Sequence, residues 1–390
     1  MRPRRVGSRA ELTEFIELAP RLARRRGEDE HYVPLFASDI RQWFTGRGWF
    51  DQPVELWLFD DAAGRTAARV MCHRSPALAK RLGDTRDGPP PLFFGALEAS
   101  DATALETVID FLIERAERLE APRIFGPVSP LPNVTGGLLT DADPSPGFFD
   151  TAWNPGFHWP AFAAAGFAPW GPAHTWEVPV GTIPAARATA VTDAEWHRHG
   201  LRRRRVSRFG LRGFADRLLP TLNAAFADLP YYTQISAEQL RAQMQGLSAL
   251  MDPDLIIDIV GADDPDDAPP RCFVLVIPDP APVLRRHGGR LGPAAITELL
   301  LTRPRLRDAV LIIQGTDPVH QGSGLLSLAI RALNSALIAG SYRRLRVTFI
   351  AEDNPASAAV FERSGGRRLH RLIFVDRGMP IAAQPTEEAR

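Results

Sequence analysis

The sequence predicts an α/β fold with a mixed sheet, repeated in two halves of one chain. Amphipathic helical segments alternate with short apolar runs in the same order in each half, as expected for a sheet covered by helices. An Asn-Pro pair followed by Gly twelve positions later occurs twice, within 154–166 and within 354–366. Cys72 and Cys272 occupy matching places in the two halves. Because 390 residues suffice for two domains, we predict domains 1–180 and 181–390, divided in an aperiodic segment rich in Pro, Gly and Ala.

The first half is predicted to begin with a helix and a hairpin. Leu12, Phe15 and Leu22 recur at helical spacing within residues 11–25. Two β-rich runs within residues 54–74 flank Asp-Asp-Ala-Ala-Gly, which is typical of a hairpin turn. The remaining predicted elements are a strand at 91–99, an amphipathic helix at 103–119, a strand at 123–128, a loop rich in Pro, Gly and Asp at 129–150, and a last strand at 174–178.

The second half repeats this order with one added helix. Residues 255–278 contain two apolar runs around an acidic, Pro-rich turn, which again predicts a hairpin. The other predicted elements are helices at 218–229 and 237–251, a connecting helix near 293–301, a strand at 308–315, a helix at 324–340, a strand at 344–351, a short helix within 353–366, and a last strand at 369–375.

The charge balance and the cysteines exclude several classes of protein. Forty-six basic residues offset forty-six acidic ones, so no global field attracts DNA or an anionic membrane. The basic run at 201–205 is predicted to be the solvated start of a helix, with nucleic-acid contact as its alternative. Two cysteines far apart in apolar runs argue against a disulfide scaffold or a zinc site. We expect a cytoplasmic protein that holds no metal and binds neither DNA nor a membrane.

The most informative segment is a strand, a turn and a helix at residues 312–333. Gly322 and Gly324 allow the backbone to approach a ligand closely, and the unpaired N–H groups of the first helical turn form an anion site. Such a loop can hold a pyrophosphate, although Gly-Ser-Gly is also a common way to begin a helix. After a further strand, Asn354 follows Gln321 by 33 residues.

This order and spacing resemble the GCN5-related N-acetyltransferase (GNAT) superfamily. There, an Arg/Gln-x-x-Gly-x-Gly/Ala motif cradles the pyrophosphate of acetyl-CoA, and an Asn-x-x-Ala segment lies beside its pantetheine arm. The runs HYVPLFASDI, FGPVSPLPNVTGGLL and WNPGFHWPAFAAAGF extend the resemblance to bacterial proteins made of two fused GNAT-like halves. The resemblance implies an α/β (α+β mixed-sheet) protein with two tandem GNAT-like acyltransferase folds, the second of which binds acetyl-CoA or another acyl-CoA.

The resemblance also assigns individual residues to the cofactor. Residues 321–324 match the pyrophosphate motif, whereas Leu326 stands where its last Gly or Ala would be. Thr316 would pair with pantetheine as a strand edge, and Asn354 would lie near the thioester arm. The full set of expected cofactor contacts is Thr316, Val319, Gln321, Gly322, Ser323, Gly324, Leu326 and Asn354.

Candidate catalytic residues lie at strand ends near this loop. Acyl transfer to an amine needs a base for the ammonium proton and benefits from an acid for the leaving thiolate. Many GNAT enzymes use a Tyr as the acid at the place where this chain has Phe361. Glu352 and His320 are the predicted bases, with a solvated strand end and an exposed loop residue as the respective alternatives. Asp353 is expected to cap the following helix. Attack would be direct, because no Cys or Ser is set beside a His.

The first half lacks the glycine loop. Glu98 and Asp101 lie between its strand at 91–99 and the following helix, and they would repel a pyrophosphate. We therefore expect this half to bind the acceptor or to be structural. The candidate acceptor-binding residues are in or near its long loop, with a satellite core under the loop as the alternative: Asn133, Trp153, Asn154 and His158.

The sequence thus predicts an acyl-CoA-dependent N-acyltransferase that acts on a small-molecule amine. An acyl-carrier protein or an aminoacyl-tRNA as the donor are the alternatives within the same enzyme class. A non-catalytic coenzyme A-binding or regulatory protein is the alternative outside it, and Phe361 and Leu326 favour that alternative.

Overall fold

The computed structural model describes residues 1–46, 53–84, 88–131, 136–141, 145–207, 210–245 and 250–380. In these ranges the strands form one mixed sheet of 13 strands. The strands are β1 (Arg2–Arg5), β2 (Glu55–Asp60), β3 (Thr66–His73), β4 (Leu92–Ala99), β5 (Arg123–Gly126), β6 (Leu138–Leu139), β7 (Ala168–Pro179), β8 (Leu201–Arg204), β9 (Ile256–Gly261), β10 (Cys272–Pro278), β11 (Asp308–Thr316), β12 (Arg344–Ala351) and β13 (Arg367–Gly378). The helices are α1 (Arg9–Arg26), α2 (Ala37–Thr45), α3 (Pro76–Arg81), α4 (Ala102–Arg118), α5 (His158–Ala164), α6 (Ala185–Ala188), α7 (Asp193–Arg198), α8 (Leu211–Ala225), α9 (Ala237–Gln245), α10 (Ala281–Arg286), α11 (Pro293–Thr302), α12 (Leu325–Ala339) and α13 (Pro355–Glu362).

The sheet runs continuously through both halves of the chain. Its strand order is β1-β2-β3-β4-β5-β13-β7-β12-β11-β10-β9-β8, and β6 also pairs with β13. The last strand of each half is exchanged: β13 pairs antiparallel with β5, and β7 pairs antiparallel with β12. Because β7 and β13 also pair with each other, the exchanged strands join the two halves in the middle of the sheet.

Both predicted hairpins are confirmed. β2 pairs antiparallel with β3, and β9 pairs antiparallel with β10. Each half then contains two parallel strands separated by a helix: β4 and β5 around α4, and β11 and β12 around α12. The exchange of the last strands is outside the prediction, because hydrophobic periodicity identifies a strand but not its partner.

Helices cover both faces of the sheet. In β10, Cys272 and Val274 pack into the core under α12, whereas Phe273 and Leu275 pack into the core under α8 and α9. This alternation follows from the two-residue period of a strand. In the first half, α4 and the pair α1 and α2 likewise pack into two separate cores. No helix of the described residues has the length and apolarity that crossing a bilayer requires.

The basic run at 201–205 lies mostly in β8, so the prediction of a solvated helix start is wrong. The Arg204 guanidinium forms an ion pair with Asp258 of β9 at 2.9 Å, and their side chains are 7% and 0% exposed. Arg204 also donates to the carbonyls of Asp266 and Ala268. The buried carboxylate of Asp258 therefore compensates the charge of Arg204, which the sequence pattern predicted to be exposed to solvent.

Candidate functional site

Two neighbouring strands of the second half separate at their carboxyl ends. β11 pairs with β12 only over Asp308–Leu311, opposite Arg344–Val347. Beyond a bulge at Ile312, β11 continues to Thr316 and pairs on its other side with β10. Residues 309–311 are buried, whereas 312–316 are each half-buried. Within the described part of the chain, this edge of β11 has no strand partner beyond Leu311, so its N–H and C=O groups can pair with an extended ligand.

The loop after β11 places the N-terminus of α12 next to this gap. Gly322 and Gly324 have φ angles of +75° and +83°, a region that favours glycine. A Cβ atom at either residue would have no heavy atom within 4 Å, so the loop faces open space. The N–H groups of the first turn of α12 have no intrahelical acceptor. Together with the helix dipole, they make this end of the helix suitable for an anion.

Hydrogen bonds within the loop hold this shape. The Asp317 carboxylate accepts from the Val319 N–H at 2.9 Å, and the Ser323 hydroxyl donates to the His320 carbonyl at 2.6 Å. Val319 is 85% exposed, which keeps its side chain available to a ligand. The structure brings the following predicted cofactor residues together on the end of β11 and this one loop: Thr316, Val319, Gln321, Gly322, Ser323 and Gly324.

The other two predicted cofactor residues lie on the helices beside the gap. Leu326 is partly buried against the core under α12. Asn354 is the N-cap of α13, and its Oδ1 accepts from the Ser357 N–H at 3.2 Å. The expectation that Asp353 caps this helix is wrong, because the proline at the first helical position makes the residue before it the cap. Phe361, in the same helix, is fully buried.

Glu352 follows β12 and contacts side chains from both exchanged strands. Its Oε1 accepts from Arg371 Nε at 3.0 Å and lies 3.0 Å from His174 Nε2. The hydrogen bond and the charge of Arg371 hold the pKa of Glu352 below its usual range. Glu352 is therefore an ionised carboxylate near neutral pH that can orient the His174 imidazole. His320, the other predicted base, is half-buried in the loop before α12.

Tyr231 lies in the loop between α8 and α9, over strands β7, β12 and β13. Its ring centroid is 5.5 Å from that of Phe374, 6.1 Å from that of Phe349 and 6.2 Å from that of Trp170. Burial and the nearby Asp353 carboxylate raise the pKa of Tyr231 above its usual value. The hydroxyl therefore stays protonated near neutral pH and can donate a hydrogen bond.

Sequence reasoning missed His174, Arg371 and Tyr231. His174 and Arg371 meet Glu352 only because their strands are exchanged between the halves. A signal for Tyr231 was present, because α2 and α9 begin at residues 37 and 237. This 200-residue offset aligns Tyr231 with His31, in the run that carries the resemblance of the first half.

The corresponding place in the first half is closed by the chain itself. Asp101 caps α4 and accepts from the Ala104 N–H at 2.9 Å. After β5, the Val128 N–H donates to the Phe94 carbonyl of β4 at 2.7 Å, so the chain stays beside β4. Glu98, near the end of β4, is buried, and burial raises its pKa to about 7. An anion here would meet carboxylates instead of open N–H groups.

The predicted acceptor residues make internal contacts in the first half. Asn133 lies outside the described residues. The Asn154 side chain accepts from the Leu139 N–H at 2.7 Å and donates to the Leu139 carbonyl at 3.3 Å. His158 is buried, which lowers its pKa to about 3, and Trp153 stacks on a histidine ring at 4.9 Å. Acceptor binding by these residues stays a prediction.

The cysteines are not placed for nucleophilic or metal chemistry. Both Cys72 and Cys272 are free and buried. Burial raises the pKa of the Cys272 thiol to about 11 and raises that of Cys72 as well. Within the ranges that the structure covers, no cluster of His, Cys, Asp and Glu could hold a metal ion.

Comparison with known proteins identifies the fold. Neither a protein-family model nor a curated protein matches the sequence. A solved tandem GNAT protein from the clavulanic acid biosynthesis pathway, without acetyl-CoA, superposes with a TM-score of 0.59 at 13% identity. That similarity covers 97% of this chain and 99% of the other.

Two further solved structures agree. A GCN5-related N-acetyltransferase from Sphaerobacter thermophilus has a TM-score of 0.51 at 12% identity, over 98% of this chain and 97% of that one. The GCN5-related glucosamine N-acetyltransferase region of a fungal multi-domain GH3 β-N-acetylglucosaminidase has a TM-score of 0.52 at 12% identity, over 96% of this chain and 38% of that one. The predicted tandem GNAT fold is therefore confirmed.

Proposed function

We propose that this chain is an N-acyltransferase that moves an acyl group from acyl-CoA to the amine of a small molecule. The observation that carries the proposal is the open edge of β11 at residues 312–316, beside the glycine loop that begins α12. A strand edge and a helix N-terminus together suit a ligand that has both an extended amide chain and a pyrophosphate. The similarity to N-acetyltransferases of the same fold supports this choice of ligand.

The second half supplies the proposed contacts with acyl-CoA. Backbone N–H groups of Gln321–Gly324 and of the first turn of α12 bind the pyrophosphate. The N–H and C=O groups of β11 up to Thr316 pair with the pantetheine amides as a neighbouring strand would. Val319 and Asn354 flank the arm from the two sides of the gap. Bound there, acyl-CoA supplies the thioester that the amine attacks.

The reaction requires one proton to leave the amine and one to reach the thiolate. The amine nitrogen bonds to the thioester carbonyl carbon, the C–S bond breaks, and coenzyme A leaves as the thiol. We assign the base to the imidazole of His174, oriented by Glu352, with His320 as the second candidate. Because Cys72 and Cys272 are buried thiols with raised pKa values, attack is direct and forms no acyl-cysteine.

Tyr231 is the proposed acid. Phe361, at the place where many GNAT enzymes carry a Tyr, is fully buried and has no acidic proton. The hydroxyl of Tyr231 keeps its proton near neutral pH and lies near Asp353, which follows β12. Proton transfer from this phenol would neutralise the departing thiolate.

The acceptor is proposed to bind beside the aromatic surface formed by Tyr231, Trp170 and Phe349. These rings come from the second half, from an exchanged strand and from β12, so the acceptor would lie between the halves. Aromatic rings favour an amine that carries an apolar or cyclic part. Trp153, Asn154 and His158 are the proposed further contacts from the first half.

The residue types of Phe361 and Leu326, at places where the family motif has Tyr and Gly or Ala, favour a second candidate, a coenzyme A-binding protein without turnover. The two candidates differ in one measurement, which is the release of free thiol from acetyl-CoA in the presence of a panel of amines. Binding without thiol release would favour the second candidate. Thiol release only from an acyl-carrier protein, or acyl transfer only from aminoacyl-tRNA, would identify a different donor.

Calorimetric titration with acetyl-CoA and coenzyme A tests the site itself. Gly324→Glu places a carboxylate in front of the proposed pyrophosphate site, and we expect it to abolish the micromolar binding of the wild type. Gly83→Glu is a matched control, because Gly83 has a φ of +82° and, like Gly324, no heavy atom within 4 Å of a Cβ position. This control should bind normally. Absence of wild-type binding at millimolar cofactor, or equal loss in both variants, would refute the proposed site.

A further inference from the structure

A cleft of about 830 Å³ lies between the two halves, apart from the gap between β11 and β12. One wall is α1 and the loop that follows it, and the other is α10 with the start of α11. None of the proposed acyl-CoA contacts lines this cleft. Five of the side chains that do line it are arginines: Arg21, Arg24, Arg285, Arg286 and Arg290.

Two of these arginines are neutralised by neighbouring carboxylates. Arg290 pairs with Glu17 across the cleft at 2.5 Å. Arg286 pairs with Glu298 at 2.5 Å, and Glu298 Oε2 also lies 2.7 Å from His287 Nε2. The Arg290–Glu17 pair links the two walls, and the pairs with Glu298 lie within one wall. Each paired arginine adds little net charge to the cleft.

The other three arginines have no carboxylate within ion-pair distance among the described residues. Arg285 donates only to backbone carbonyls, those of Tyr32 at 2.9 Å and of Gly147. Burial lowers the pKa of Arg285 below its usual value, against the raising effect of the more distant carboxylates of Asp279, Glu30 and Asp29. Since a guanidinium has five N–H donors, Arg285 keeps donors for a ligand, and burying its charge is unfavourable until an anion pairs with it.

Arg21 and Arg24 repeat this pattern on the opposite wall. Arg21 donates through Nη2 to the Thr66 carbonyl at 3.3 Å, and its buried Nε has no hydrogen-bond partner among the described residues. Arg24 contacts only the Pro20 carbonyl, at 3.2 Å. Besides Glu17, the one carboxylate in the lining is the exposed Asp29. The cleft therefore carries a net positive charge from both walls.

We propose that this cleft binds a small, multiply charged oxyanion, a molecule that carries phosphoryl or carboxylate groups. Planar guanidinium groups recognise both kinds of group through paired N–H donors. The volume is within the range of pockets for small molecules. Because Arg21 and Arg24 belong to the first half and Arg285 to the second, the anion bridges the two walls and stabilises their contact.

The proposed oxyanion site is distinct from the proposed acyl-CoA site. In β11, Val310 packs into the core that contains residues of α10, whereas the adjacent Leu311 packs into the core under α12. Adjacent residues of a strand point to opposite faces. The cleft and the glycine loop therefore lie on opposite faces of the sheet, and either site can be correct without the other.

The test is calorimetric titration with pyrophosphate and with citrate at constant ionic strength. The cleft variant is the double substitution Arg21→Gln and Arg24→Gln. The control is the double substitution Arg9→Gln and Arg25→Gln, which removes the same charge from exposed residues of α1 outside the cleft. We expect saturable binding that weakens by about tenfold or more in the cleft variant and is unchanged in the control. Thermal denaturation should show both variants folded.

The Gly324→Glu variant separates the two anion sites. Binding that persists in it and is lost in the cleft variant supports the proposal, and the tighter of the two probes identifies the phosphoryl or the carboxylate class. Absence of saturable binding, equal weakening in both double variants, or loss of binding only in Gly324→Glu would overturn the proposal. Binding of RNA but of neither small anion would overturn it as well.

Discussion

The two halves of the chain share an element order and differ at the point where their parallel strands separate. In the second half, β11 leaves β12 after Leu311, and Gly322 and Gly324 precede the next helix. In the first half, the chain after β5 stays hydrogen-bonded to β4, and the Asp101 carboxylate caps the N-terminus of α4. The same topology thus supports one open strand edge and one closed one. The order of the elements therefore does not by itself determine whether the strand edge is open, and the residues at the strand ends distinguish the two places.

The two halves also differ in the burial of an ion pair at each outer edge of the sheet. Breaking these pairs gives the largest expected change in the free energy of unfolding. Arg204 of β8 and Asp258 form a pair 7% and 0% exposed, whereas the matching Arg4 of β1 and Asp60 are 27% and 21% exposed. We expect Arg204→Ala to lower the free energy of unfolding by about 3–5 kcal/mol, because it leaves a buried carboxylate unpaired. Arg4→Ala should lower it less, because Arg4 and its three carboxylate partners, Glu11, Glu14 and Asp60, are all at least 21% exposed. Urea denaturation of both variants measures the difference, and equal losses would contradict it.

The sequence predicted the local features of each half but not the contacts between strands that are distant in the chain. Periodicity predicted both hairpins and the helices α4 and α12, because these depend on residues close together in the chain. Motif spacing predicted the loop at Gly322 and Gly324 for the same reason. The roles of Arg204 and His174 depend on strands that pair over long sequence distances. Neither composition nor periodicity contains that pairing, so the buried ion pair and the contact of His174 with Glu352 required the structure.

The pH dependence of stability tests the buried carboxylate of Glu98, which distinguishes the closed first half from the open second half. The pKa of Glu98 in the folded chain is raised to about 7 from 4.5 by burial, against the lowering effect of Arg69 and Arg26. Between these two values the folded state binds a proton that the unfolded state has released. The free energy of unfolding therefore falls as pH rises from about 4.5 to about 7, by up to about 3 kcal/mol for this group.

Glu98→Gln should remove this decrease in the free energy of unfolding with rising pH. Relative to wild type, the variant is expected to gain stability between pH 5 and pH 8, as measured by urea denaturation at each pH. Glu106→Gln, an exposed residue of α4, is the control and should follow the wild type throughout. Asp39, whose pKa is raised to about 6, contributes equally to all three proteins and cancels. A constant difference between Glu98→Gln and wild type across this range would show that Glu98 does not titrate as stated.

The loop between α1 and α2 and its counterpart between α8 and α9 give the smallest expected effect in free energy and the most direct test of the proposed acid. The first half has His31 and Tyr32 in this loop, and the second has Tyr231 and Tyr232 at the matching places. If Tyr231 protonates the leaving thiolate, Tyr231→Phe should lower kcat by about a hundredfold. The KM for acyl-CoA should change little, because the hydroxyl acts only as the C–S bond breaks.

A merely structural role for Tyr231 would give a different pattern. Tyr232→Phe is the control, because the Tyr232 hydroxyl donates to Asn223 at 2.8 Å, so its removal should lower thermal stability without lowering kcat. An acyl donor with a more acidic thiol leaves without a proton, so its rate should be nearly insensitive to Tyr231→Phe. An equal loss of kcat with both donors would contradict acid catalysis by Tyr231. It would indicate that the residue only shapes the gap beside β12.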